Sequence, residues 1–338
     1  MFLRPVAMEI CMMVNPLASG TSGLFNQAAM SAKSKRRIGI LIAGIVLLAI
    51  VFYYLSVYFI HPVGNGPAGP VVSRGAFSSP WTSRPVLLVG IGDSVTAGFG
   101  ARKGYSYFDR LIKNPPDEFA DLNGVCLSAV IPKLQFTNLA ISGSTSAEHM
   151  GKELPRLATA GSNVLGIIII TTGGNDLIHN YGRTPPRDQA MYGASLEQAK
   201  PWIDDFDGRL DSMINEITAR FPGGCQIFMA NIYDPTDGIG DIKHTTLPDW
   251  PGGLKILSAY NLNLQRCAQA HTNVHLVNMH DSFLGHGIHC AQFWTKHYDW
   301  KDPHYWYFIN LEDPNERGYD ALRRLFLNEM TACRNRLN

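Results

Sequence analysis

The sequence predicts an α/β fold, a three-layer sandwich around a central parallel sheet, preceded by one membrane-crossing helix. Two observations carry the sandwich. Five short apolar runs recur after residue 85, and amphipathic stretches of helical length lie between them. Strands that are apolar on both faces belong inside a parallel sheet. Alternation with helices covers both faces of that sheet through right-handed crossovers. A third observation sets the N-terminus apart: Ile38 to Ile60 contains no charged residue.

Taken in order, residues 1–37 read as a cytoplasmic leader, Arg4, Lys33, Lys35, Arg36 and Arg37 outweighing Glu9. Residues 1–29 look like neither a membrane segment nor a domain. Met30 opens the stretch MSAKSKRRIG, which suits a true start. At ~1.5 Å per residue, residues 38–60 reach across a hydrocarbon core of ~30 Å. The basic run stands before this segment, so an uncleaved single-pass signal anchor places everything after residue 60 outside the cytoplasm. A cleaved signal peptide fits less well, because the apolar region is long and no small-x-small site follows it closely. Residues 61–85 are rich in Pro, Gly and Ser and read as an extended tether.

Residues 86–338 form the predicted domain. Its strands are Val86 to Ile91, Leu134 to Ile141, Val164 to Thr171, Gln226 to Ile232 and Val274 to Met279. Its helices are Ser146 to Leu157, Leu196 to Phe221, Leu254 to Ala270 and Tyr319 to Cys333. With 46% hydrophobic and 17% charged residues in 338, a large core is expected and global disorder is not. The net charge of +1 gives no basic surface for nucleic acid. Of the six cysteines, only Cys11 precedes the anchor. Cys126, Cys225, Cys267, Cys290 and Cys333 would face an oxidising compartment, where one or two disulfides can form.

Three strand ends carry the candidate chemistry: Gly92-Asp93-Ser94, Ile141-Ser142-Gly143 and Gly173-Gly174-Asn175-Asp176. Ligands of parallel sheets bind beyond the carboxyl ends of the strands. A serine opening a helix there is a candidate nucleophile, with Asp93 bracing the turn. A glycine N–H and an asparagine amide supply two donors to an oxyanion, each worth roughly 3–4 kcal/mol in the transition state. Taken singly, each also reads as an N-cap serine, a turn glycine or an Asn-Asp turn.

In this order and context the chain resembles the SGNH (GDSL-type) hydrolase family, over residues 86 to about 335. Ser94, Gly143 and Asn175 fall on its first three blocks. The resemblance implies a flavodoxin-like sandwich and hydrolysis of acyl esters with no metal or other cofactor. It also implies Ser94 as nucleophile, with the Ser94 N–H, the Gly143 N–H and the Asn175 side chain as the oxyanion hole. The fourth block departs from the family's Asp-x-x-His-Pro: Asn310 stands at the aspartate and Asp313 at the histidine. A carboxylate does not simply replace imidazole as base at neutral pH. His304 is therefore the candidate base, oriented by Asp302 or Asp299.

Three readings stay open: an esterase or lipase-like hydrolase acting on a small acyl ester, a lysophospholipid or an acetylated glycan; an acyltransferase acting on a surface glycan; and a catalytically silent surface binder. Expected partners are such a substrate and the membrane, through residues 38–60. Two further stretches invite a metal reading, Gly285 to Cys290 with its histidines and Asp234 to Asp241 with its carboxylates. Structural or substrate-loop roles and turn chemistry explain them better. The aromatics Trp294, Tyr298, Trp300, Tyr305, Trp306, Tyr307 and Phe308 either line a pocket or cover the flank of the last helix.

Overall fold

Four consecutive isoleucines show why the chain folds around its sheet. Ile167 and Ile169 enter one hydrophobic layer, Ile168 and Ile170 the other, and none is exposed to solvent. A strand whose successive side chains point to opposite faces needs a layer on each side. The computed structural model describes residues 31–337, and the chain falls into two compact units, Met1–Val51 and Phe52–Asn338. The expectations for residues 1–30, the leader, the Met30 start and Cys11, lie outside the described residues.

The elements run α1 (Ala32–Tyr58), β1 (Val86–Gly92), α2 (Ser94–Ala97), α3 (Tyr107–Ile112), α4 (Leu127–Val130), β2 (Leu134–Asn138) and α5 (Ser146–Glu148). They continue β3 (Leu165–Thr171), α6 (Gly174–Ile178), α7 (Leu196–Ala219), β4 (Cys225–Ala230), α8 (Gly253–Ala270), β5 (Val274–Val277), α9 (Met279–Phe283) and α10 (Glu316–Ala332). The five strands are all parallel, in the order β2-β1-β3-β4-β5. That order is the flavodoxin-like one, whose switch point lies between β1 and β3. α7 and α8 pack on one face through Phe206, Leu210, Ile214, Tyr260 and Leu264. α3 and α10 pack on the other through Tyr107, Leu111, Phe326 and Leu327.

The helix α1 is long and apolar enough to cross a membrane, with a mean hydropathy of 2.7 over its most apolar stretch. It is the one such helix among the described residues.

Four sequence expectations change. The strand from Leu134 is not buried on both faces: β2 is the sheet edge, and Phe136 is 57% exposed. Polar Gln135, Thr137 and Asn138 suit that edge. The helix expected from Ser146 breaks up into α5, a π-helical turn His149–Glu153 and a short turn Leu154–Arg156 that contains Pro155. Residues 61–85 are not a free tether. Ala68, Val72 and Trp81 are buried in the α10 layer. The strap is fastened by hydrogen bonds from Ala68 N–H to Asp320 (3.0 Å) and from the Arg317 guanidinium to the carbonyls of Asn65 and Gly66 (2.8 and 2.9 Å). The five described cysteines are all buried and unpaired.

Asp320 is the hub of this face. Its carboxylate, 1% exposed, accepts from Arg323 (2.5 Å) and Arg324 (3.0 Å) and lies 3.0 Å from Arg110. Removing one member of a buried ionic network strands the others without compensation. Asp320→Ala is therefore expected to destabilise the domain by about 3–5 kcal/mol. An unchanged urea midpoint would contradict this role.

Candidate active site

Three loops meet at the carboxyl edge of β2, β1 and β3. β1 ends at Gly92, whose φ is +140° and where an added Cβ would fall 2.4 Å from the Thr171 carbonyl oxygen, so no side chain fits. Asp93 then caps the single turn α2, accepting from Val95 N–H (3.1 Å) and from the Thr171 hydroxyl (2.8 Å). Burial pushes its pKa up. Asn138, at the end of β2, donates to the Thr96 carbonyl (2.8 Å) and so pins α2 from the other side. Ser94 is the first residue of that turn and opens onto a cleft.

The second loop is hooked onto the first. Ile141 N–H donates to the Gly92 carbonyl (2.9 Å), and the Ser144 hydroxyl lies 3.1 Å from the same oxygen. Gly143, between them, is exposed, has a φ of +83°, and has open space where a Cβ would sit. The third loop grips the second: Asn175 Nδ2 donates to the Ser144 carbonyl (3.0 Å), and Asp176 accepts from the Ser146 N–H (2.8 Å) and hydroxyl (2.5 Å). Ser94 and Asn175 both line the cleft, and Asn175 holds the carbonyl of Ser144, the residue that follows Gly143. A primary amide has two N–H donors, so one remains for a ligand.

The candidate base and its partner lie elsewhere. His304 bonds Asp302 through Nδ1 (2.5 Å), and Asp302 is in turn held by Arg317 (2.6 Å). The His304 ring packs on Gly64 of the strap. Neither His304 nor Asp302 lines the cleft, and nor does Asp299. The carboxyl on which the Ser94 hydroxyl acts is that of Asp313, which itself does not line the cleft. Tyr307 bridges to Pro314, Phe308 N–H donates to the Asp313 carbonyl (2.6 Å), and Leu311 takes a φ of +65°. The hairpin so formed turns Asn310 to Asp313 back towards Ser94.

Asp313 is 2% exposed. Asn310 Nδ2 donates to its Oδ2 (2.7 Å), while Oδ1 is buried with no closed hydrogen bond. Burial pushes its pKa up, and the Ser94 hydroxyl and the Asn310 amide offset part of that rise. Its neighbour Glu312 lines the cleft, and burial together with the Asp313 and Asp93 charges pushes it up to about 7. Sequence reasoning missed Glu312. It set Asp313 aside because an imidazole was expected there, although the block position itself pointed to residue 313.

Most of the remaining wall is apolar, from Leu177, Tyr192, Ile232, Trp250, Leu254 and Leu257, with Asn231, Asp234 and Thr236 also lining the cleft. Of the aromatics expected near His304, three take a structural role. Tyr305, Trp306 and Tyr307 are buried with Phe283 and Tyr233, Trp300 is 73% exposed, and none lines the cleft. The two histidine- and aspartate-rich stretches brace each other. Asp237 accepts from the N–H groups of Gly285, Gly287 and His289 (2.8, 2.8 and 2.9 Å), and Asp234 accepts from the Thr236 and Gly238 N–H groups.

With this geometry in hand, the family model described as the GDSL-like lipase/acylhydrolase family matches residues 91–321. The chain belongs to that family. The match spans all three strand-end loops and the hairpin that carries Asp313. A comparison with curated protein sequences found no match. Among solved structures, the chain is similar to an extracellular lipase from Streptomyces rimosus, at 16% identity and a TM-score of 0.47 over 70% of this chain and 97% of that one. It is also similar to an acetyl xylan esterase from Geobacillus stearothermophilus, at 15% identity and a TM-score of 0.44 over 74% and 95%. A phospholipase A1 from Streptomyces albidoflavus aligns at 17% identity and a TM-score of 0.41 over 71% and 96%.

Proposed function

We propose that this GDSL-like protein is a membrane-anchored serine ester hydrolase whose domain lies outside the cytoplasm, and that its base is Asp313 rather than His304. The observation that carries the reading is the hydrogen-bonding influence of the Ser94 hydroxyl, which lines an apolar cleft, on the buried, imperfectly paired carboxylate of Asp313. Ser94 Oγ attacks the ester carbonyl and its proton passes to Asp313. The oxyanion takes hydrogen bonds from Asn175 Nδ2 and from the peptide N–H groups of Gly143 and Ser94. As the C–O bond breaks, Asp313 returns the proton to the departing alcohol and an acyl-serine remains. Water then attacks the acyl carbonyl, Asp313 takes its proton, and the proton returns to Ser94 as the acid leaves.

A carboxylate is a weaker base than imidazole in water. A buried carboxylate with a raised pKa recovers part of that strength. The loose contact between the two groups is ordinary for a site without substrate. The apolar wall holds the acyl chain. Turnover of p-nitrophenyl esters by the full chain is therefore expected to rise with chain length beyond acetate. Each added methylene is worth about 0.8 kcal/mol, roughly fourfold in kcat/KM, until the cleft is full. A flat series would count against the acyl-pocket role.

A second reading rests on one specific observation, the carboxylate in place of an imidazole: the chain binds acyl ligands in the same cleft without turning them over. A fluorophosphonate probe separates the two, since only an activated serine reacts.

A further inference from the structure

We propose that Glu153 is a positioning residue for Ser94 and the Gly143 peptide, a single buried carboxylate that fastens the end of β1 to the loop after β2. The inference rests on the reading of Ser94 as nucleophile and deepens it.

β2 pairs with β1 only as far as Gly90 and Asn138. Beyond that register the chain after β2 still reaches the Gly92 carbonyl, through Ile141 N–H. In a strand the N–H and C=O of one residue point the same way, so the Gly92 N–H also points towards the β2 side, where it needs an acceptor. Glu153 Oε2 supplies it at 2.8 Å. The other carboxylate oxygen, Oε1, lies 2.9 Å from the Ser144 hydroxyl and 2.9 Å from His149 Nδ1. Gly92 stands two residues before Ser94, and Ser144 directly follows Gly143. One carboxylate therefore spans the two segments whose relative position decides whether nucleophile and oxyanion donor face the same atom.

Glu153, His149 and Ser144 are all buried, with Glu153 and His149 at 0% exposure. The π-helical turn His149–Glu153 aims both side chains inward, and such turns are enriched at functional sites. Serine, histidine and glutamate here do not make a second nucleophile–base pair. Ser144 and Glu153 both meet Nδ1, whereas Nε2 is buried and has no partner among the described residues. A base needs one ring nitrogen for the acid and the other for the hydroxyl. The cluster is thus a brace. Burial alone would lower the His149 pKa, and the bond to Glu153 together with the Glu153, Asp93 and Asp176 charges more than offsets it, leaving the pKa raised.

The test is Glu153→Gln in the full chain. The amide keeps the shape and turns one acceptor into a donor, which opposes either the Gly92 N–H or the pair on Oε1. The expected result is a fall in kcat on the order of 10²-fold, the usual consequence of misplacing a reacting group by about 1 Å, with KM little changed. Amide hydrogen exchange in residues 139–146 is expected to speed up while β3 and β4 stay protected. Leu210→Ala, a cavity in the distant α7 layer, is the control: it lowers thermal stability and moves neither kcat nor the 139–146 exchange. A folded Glu153→Gln protein with normal kcat and normal exchange in 139–146 would overturn the inference. If Ser94→Ala still turns over ester, the nucleophile reading fails instead, and the exchange measurement alone decides the role of Glu153.

Discussion

Ser94→Ala is expected to lower ester turnover by about 10⁴-fold or more while leaving the fold intact. Removing the nucleophile of a serine hydrolase eliminates the acyl-enzyme route and leaves only what the oxyanion donors and substrate binding contribute. The substitution should be nearly silent in stability, because Ser94 is only half-buried at the cleft and loses a single hydroxyl. Thermal melts and p-nitrophenyl ester assays on the same preparation check both halves. Full turnover in a folded Ser94→Ala protein would remove the nucleophile from the account.

Asp313→Asn is expected to move activity and stability in opposite directions. Asparagine can still accept the Asn310 hydrogen bond but cannot take a proton from Ser94. The loss should be about 10²–10⁴-fold in kcat, the usual worth of a general base. The carboxyl of Asp313 is pushed up in the folded protein by burial. Between its unfolded and folded pKa values the folded state holds the extra proton. Stability is therefore greatest at low pH and falls as pH rises through that window, with the cost remaining above it. A neutral amide removes the cost, so Asp313→Asn should melt higher than the parent at neutral pH, by about 2–4 °C for each kcal/mol relieved. The parent's activity should follow the opposite course, rising as pH climbs through the raised Asp313 pKa, because only the ionised carboxylate is a base. A parallel loss of stability and activity in the variant would point to a structural role instead.

Much of this arrangement is legible in the residue order because it is local. Val86 to Ile91 and Leu165 to Thr171 are apolar on both faces, and a strand with that property has few places to go. Gly-Asp-Ser and Gly-Gly-Asn-Asp sit directly after such strands, so their place at the sheet edge follows from the strand assignment. What resisted reading depends on distant contacts. Whether residue 304 or residue 313 meets Ser94 is decided by a hairpin closed between Tyr307 and Pro314, and by the αL turn at Leu311. No local propensity marks that turn, since leucine rarely takes a positive φ.

The strap shows the same limit from the other side. Its Pro, Gly and Ser content reads as a tether, yet Ala68, Val72 and Trp81 are apolar at intervals and find the α10 layer. The acceptor that holds Ala68 is Asp320, 252 residues away in sequence. Composition describes the backbone freedom of such a segment and not the surface waiting for it. Glu153 is a third case. A glutamate two residues before Pro155 looks like a solvated helix face until the π-helical turn aims it at Gly92.

The most direct test of the central claim is to expose the full chain to a fluorophosphonate and locate the adduct by peptide mass spectrometry. A phosphonyl group is expected on the Ser94 peptide of the parent protein, with a much slower reaction when Asp313 is replaced by asparagine. A folded parent that leaves Ser94 unmodified, or that reacts equally fast without the Asp313 carboxylate, would contradict that claim.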